Sequence, residues 1–216
     1  MHYAPYIMLK HYTFIVKSGL NLVVFYAAVK VDSSIIIEEC KEVYPPREDS
    51  YLLLRAVDVK PRERVLEIGT GTGIIALHCA KIGAKVTATD INPHAVQCAR
   101  KNAEVNGLEV EVLEGDLFAP IRDRYDVIIF NPPYLQGYGP KDWAGGKGGV
   151  ETALRFLMDA KKHLNPHGRI YLVLSSESDI SKFKENCRDW KIMHLLSEHV
   201  FFEEIYAFEI RWKEHR

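Results

Sequence analysis

Asn131-Pro132-Pro133-Tyr134 is a short run with an unusual balance of hydrogen-bonding groups. Two consecutive prolines remove two backbone N–H donors, so the turn presents carbonyl oxygens together with the Asn131 amide oxygen. A pocket so rich in acceptors suits an incoming NH2 group, whose hydrogens can be held while its lone pair faces an electrophile. Tyr134 adds a flat surface for a planar amide or base. Such nitrogens are poor nucleophiles because their lone pair is delocalised, so positioning and electrostatics must supply the rate and no general base is required. A rigid proline loop is the plainer interpretation, but its place directly after a buried strand weighs against that.

A second set of residues suits a nucleoside cofactor. Glu67-Ile68-Gly69-Thr70-Gly71-Thr72-Gly73 closes a strand and opens a helix, where glycines let the backbone turn sharply and approach a ligand. Position 74 is Ile74, so the spacing is G-x-G-x-G and not the dinucleotide G-x-G-x-x-G, which argues against NAD. Asp90 ends the next strand, roughly 20 residues on, where a carboxylate can accept from ribose hydroxyls; it could equally serve the following helix start at Asn92 and Pro93. Asp116-Leu117 follows the third strand, offering an acceptor for an adenine amine and an apolar face for its ring, or simply a turn. Glu67, Asp90 and Asp116 at three successive strand ends carry more weight than any one of them.

Short apolar runs at 65–68, 85–89, 110–113, 126–130 and 169–174 read as strands covered on both faces. Helices are expected over 73–82, 92–106, 150–164 and 179–187, the third building an apolar face from Val150, Ala153, Leu154, Leu157, Met158 and Leu164. A further helix over 51–57 precedes the first strand. Strand then helix, repeated, means a doubly wound parallel sheet. The runs at 191–196 and 201–212 have no helix between them and should add an antiparallel hairpin at one edge, giving seven strands.

With 216 residues and 47% hydrophobic content the chain suits one domain. Lys+Arg 28 against Asp+Glu 29 leaves a formal net charge of -1, so no global basic excess favours a nucleic acid. The apolar run 13–31 is broken by Lys17 and Lys30 and reads as a β-hairpin around Ser18-Gly19, neither a membrane span nor a signal peptide. Cys40, Cys79, Cys98 and Cys187 lie far apart, suggesting neither zinc nor a disulfide, and reduced thiols fit a cytoplasmic protein. His163 and His167 flank Asn165-Pro166 in what reads as a surface turn, so no metal site is expected.

Together these residues resemble the class I methyltransferases that modify amide or exocyclic amine nitrogens. Val43-Tyr44-Pro45-Pro46-Arg47-Glu48-Asp49-Ser50 and Trp143-Ala144-Gly145-Gly146-Lys147-Gly148-Gly149 are similar to segments of the eukaryotic and archaeal HemK-like branch, which methylates the glutamine of the Gly-Gly-Gln tip of class I release factors. The resemblance implies an α/β Rossmann-like fold over 43–216, preceded by a β-rich extension over 1–42. It implies S-adenosylmethionine as cofactor, with S-adenosylhomocysteine as product. Ser50, Glu67, Gly69, Gly71, Asp90, Ile91, Asp116 and Leu117 would contact the cofactor, and Asn131 would face both ligands. Asn131 and Pro132 would hold the glutamine amide, with Tyr134 lining the pocket. A small zinc-binding activator subunit is a further implied partner. Two other readings stay open: methylation of an adenine or guanine amine in RNA or DNA, and a non-catalytic binding or activator subunit.

Overall fold

The computed structural model describes residues 31–134 and 148–213. The expected hairpin around Ser18-Gly19 and the segment 135–147 lie outside them. Seven strands form one sheet in the order β3-β2-β1-β4-β5-β7-β6. They are β1 Arg64–Ile68, β2 Lys85–Asp90, β3 Val110–Glu114, β4 Tyr125–Phe130, β5 Leu164–Ser175, β6 Trp190–Val200 and β7 Glu203–Trp212. Strands β1 to β5 run parallel, while β7 is antiparallel to both β5 and β6.

Alternate residues of each strand feed two cores. Val65, Val127 and Val173 face one side with Leu53 and Leu54 of helix α1 (Glu48–Ala56), Ile75 of α2 (Ile74–Lys81) and Val96 of α3 (Pro93–Val105). Leu66, Ile128 and Leu172 face the other with Phe156 of α4 (Glu151–Ala160) and Phe183 of α5 (Ile180–Asn186). This two-sided cover explains why the strands read as continuous apolar runs.

The helix expected over 150–164 stops at Ala160 and passes through a 3₁₀ turn, Lys161–His163. Its buried face is Ala153, Phe156, Leu157 and Ala160, whereas Met158, one step of about 100° from Leu157, is 79% exposed. Asn165-Pro166-His167-Gly168 falls inside β5, where the pairing with β4 shifts register between Tyr125 and Val127. Phe201 and Phe202, expected to open the last strand, instead form the turn between β6 and β7.

The disulfide reading is corrected. Cys40 is bonded to Cys98 of α3, with Cα atoms 6.1 Å apart. A separation of 58 residues carries no hint of this, because the contact is made by a strap, residues 31–47, lying antiparallel along α3. The Ile36 and Glu38 amides donate to the side chains of Asn106 and Asn102, at 2.8 and 3.0 Å, and Asn92 donates to the Glu42 carbonyl at 2.7 Å. No described helix is long and apolar enough to cross a membrane.

Candidate active site

The sheet order reverses between β1 and β4, and the carboxyl ends of these strands open the crevice where such folds hold ligands. After β1 the chain turns through Gly69, Gly71 and Gly73, all with positive φ (65°, 55° and 85°). A side chain at Gly73 would also press on Ala99 of α3, its Cβ 3.2 Å from that of Ala99. Glycine here lets the loop take a left-handed path and helix α2 seat against α3.

Two carboxylates brace this loop. Glu67, buried, accepts from the Thr70 hydroxyl at 2.6 Å and from the Ala76 amide at 2.9 Å. Burial pushes its carboxyl up to about 8, against the pull of those two hydrogen bonds. Asp90, also buried, accepts from the Gly71 amide and, on its other oxygen, from the Asn92 amide, both at 2.9 Å. It therefore ties the glycine turn to the start of α3. Ile91, next to it, is 36% exposed. In the third unit Arg155 donates to Asp116, and Leu117 takes a positive φ of 49° with its carbonyl accepting from Thr89 at 3.4 Å. A ligand amine approaching Asp116 thus meets a carboxylate already carrying a guanidinium.

The acceptor turn follows β4. Asn131 Nδ2 donates to Asp49 Oδ2 at 3.0 Å, and the same oxygen accepts from the hydroxyls of Tyr134 at 3.1 Å and Tyr44 at 3.3 Å. Asp49 lies in the first turn of α1, 4% exposed, and its second oxygen accepts from the Ser50 amide and hydroxyl at 2.7 and 3.2 Å. A carboxylate can only accept, so Asp49 selects the amide end of Asn131 that faces it. The opposite end, Oδ1, is buried and has no hydrogen-bond partner among the described residues. A buried acceptor left open costs free energy on the order of 1–3 kcal/mol, and a donor from a ligand removes that cost.

Neither tyrosine can serve as a base at neutral pH. Burial, and then the Asp49 charge, push both phenols well above their usual value; Tyr134 also feels Tyr44 and Glu203. Gly149, with φ 70°, closes over the turn: a Cβ there would lie 2.3 Å from the Tyr134 carbonyl, which also accepts from the Ser178 hydroxyl at 3.2 Å.

The structure thus gathers Ser50, Glu67, Gly69, Gly71, Asp90, Asn131 and Tyr134 along one edge of the sheet. Asp49 and Tyr44 are the residues that sequence reasoning passed over. They stand inside the quoted run 43–50, where an acid placed just before Ser50 was the available signal.

Comparison with known proteins agrees with this geometry. Residues 48–194 match the model of the methyltransferase small domain. A Methanocaldococcus jannaschii protein bearing the name of a protein N5-glutamine methyltransferase is 44% identical over 145 residues, 62% of this chain and 73% of the relative. The human methyltransferase HEMK2 is 34% identical over 158 residues, 64% of this chain and 74% of the relative. Among solved structures, the E. cuniculi Mtq2–Trm112 complex, responsible for methylation of the eRF1 translation termination factor, aligns with TM-score 0.67 and 25% identity, covering 79% of this chain and 99% of that one. Motif spacing, strand order and these matches agree, and the chain belongs to the methyltransferase small-domain family as a HemK-like class I methyltransferase.

Proposed function

We propose that this enzyme methylates the side-chain amide nitrogen of the glutamine in the Gly-Gly-Gln motif of a class I release factor. The observation that carries the reading is the buried Oδ1 of Asn131, without a partner among the described residues and held in place by Asp49. An amide NH2 supplies the missing donor, and the Pro132 carbonyl is the natural acceptor for its second hydrogen. Restraining both hydrogens keeps the nitrogen lone pair aimed at the methyl and reduces its sharing with the carbonyl. The name of the M. jannaschii relative supports a protein glutamine acceptor, and the eRF1 substrate of the E. cuniculi complex supports a release factor.

S-adenosylmethionine is the cofactor, and when bound it supplies an electrophilic methyl on a sulfonium. Glu67, Asp90 and the glycine turn would hold it, and Ser50 at the start of α1 would close the site. The small zinc-binding subunit implied by the resemblance belongs to the same proposal, supported by the partner chain in the E. cuniculi complex.

The test is mass spectrometry of a purified release factor after incubation with enzyme and S-adenosylmethionine. A gain of one methyl on the Gly-Gly-Gln glutamine is expected, lost in Asn131→Ala while S-adenosylhomocysteine still binds. Label on RNA or DNA, with none on the protein, would refute it.

A further inference from the structure

The turn between β6 and β7 breaks two rules at once. Val200 pairs with Glu203, so Phe201 and Phe202 alone make the loop. Two-residue hairpin loops favour glycine, asparagine or aspartate because their central residues visit positive φ. Here Phe201 takes φ 50°, a conformation that bulky side chains rarely adopt. Both rings also stand in solvent, Phe201 85% and Phe202 99% exposed. No packing within the described residues compensates for the strain or for the wetted rings, and unrewarded strain of this kind marks functional sites.

The position of the turn supplies the function. Strand β7 pairs with β5 up to Ser175 and Ile205, at the same end of the sheet as the acceptor turn. Phe202 stands three residues beyond Ile205, roughly 10 Å further out at the usual rise per strand residue. Three contacts fix the hairpin to the acceptor site. Ser175 donates to Glu203, Glu204 and Ser176 exchange hydrogen bonds at 2.7 and 3.0 Å, and Arg55 of α1, the helix carrying Asp49, pairs with Glu198. Ser178, three residues from Ser175, donates to the Tyr134 carbonyl. Glu203 and Glu204 are held by the hydroxyls of Ser175 and Tyr206, so the rim of the tip is acidic.

We propose that Phe201 and Phe202 dock the protein substrate, receiving an apolar side chain, flanked by a basic one, from the polypeptide that delivers its acceptor amide to Asn131. The inference rests on the reading of the acceptor as a protein. An acceptor presented on a polypeptide must cross the rim beside Tyr134, and the exposed ring pair continues the site in that direction. The acidic rim selects the basic neighbour.

The experiment compares wild type with the double variant Phe201→Gly, Phe202→Ser, whose turn chemistry suits the hairpin better than the native pair and so favours folding. Steady-state kinetics on a purified release factor should show KM raised at least tenfold with kcat nearly retained, and unchanged affinity for S-adenosylhomocysteine. Equal KM in the two proteins overturns the docking role while leaving glutamine methylation intact. Loss of binding to acidic phospholipid vesicles with KM unaltered also overturns it, in favour of a membrane contact. Absence of protein methylation by the wild type refutes the acceptor reading itself, a separate outcome.

Discussion

Asp49 accepts from Asn131 Nδ2 at 3.0 Å, and this one bond decides which end of the Asn131 amide the proposed substrate would meet. Asp49→Asn keeps the shape but offers both a donor and an acceptor, so the Asn131 amide can turn over and present N–H groups to another N–H group. Loss of one such fixed electrostatic contact costs on the order of a hundredfold in kcat. Single-turnover methylation and calorimetric binding of S-adenosylhomocysteine should show that loss with cofactor affinity within a few fold; full activity would remove Asp49 from the positioning role.

Gly149→Ala tests the cover over the same turn. The new methyl would sit 2.3 Å from the Tyr134 carbonyl, on a residue with φ 70°. Something must move, and the backbone of the acceptor turn is what lies there. Strain of this type costs about 1–3 kcal/mol. The expected result is a drop of several degrees in Tm and a loss of turnover larger than the loss of cofactor binding. An alanine variant with native turnover would show that Gly149 does not set the height of the turn.

Much of this site was legible because it is local. The glycine turn and the proline motif each begin one residue after a strand and Asp90 ends one, so strand periodicity alone placed them on one edge of the sheet. The strap was not legible, since residues 36, 38 and 40 meet 106, 102 and 98 through long-range packing with no periodic signature. Asp49 was hidden for a related reason: the three partners of its Oδ2, Tyr44, Asn131 and Tyr134, come from segments up to 85 residues away. The hairpin turn was misjudged because two phenylalanines carry strong strand propensity, and only the pairing of Val200 with Glu203 reveals them as a turn.

The Cys40–Cys98 bond closes a loop of 58 residues, which in the chain-entropy account stabilises the fold by about 4 kcal/mol. It also fixes the strap that carries Tyr44, whose carbonyl lies 3.6 Å from where a Gly71 side chain would begin. Cys40→Ser should therefore lower Tm and weaken S-adenosylhomocysteine binding by several fold. Reductant should reproduce both effects in the wild type and leave the variant unchanged. A wild-type Tm indifferent to reductant, with free thiols at both positions by mass spectrometry, would dismiss the bond as a stabilising element.

Glu67 gives the protein a pH dependence of defined sign. Its folded carboxyl is raised to about 8 by burial, against an ordinary value of 4.5. Between those values the folded chain holds a proton that the unfolded chain has released, so stability is greatest at low pH and falls as pH rises through the window. The full shift corresponds to about 5 kcal/mol at most, taking roughly 1.4 kcal/mol per pH unit. Glu67→Gln keeps an acceptor for Thr70 and Ala76 but cannot ionise. The Tm advantage of the variant should therefore be small or negative near pH 5 and grow steadily toward pH 8.5. Thermal melts across that range check the slope: a gap between variant and wild type that stays flat with pH would mean Glu67 is ionised throughout, with the Thr70 and Ala76 hydrogen bonds outweighing burial.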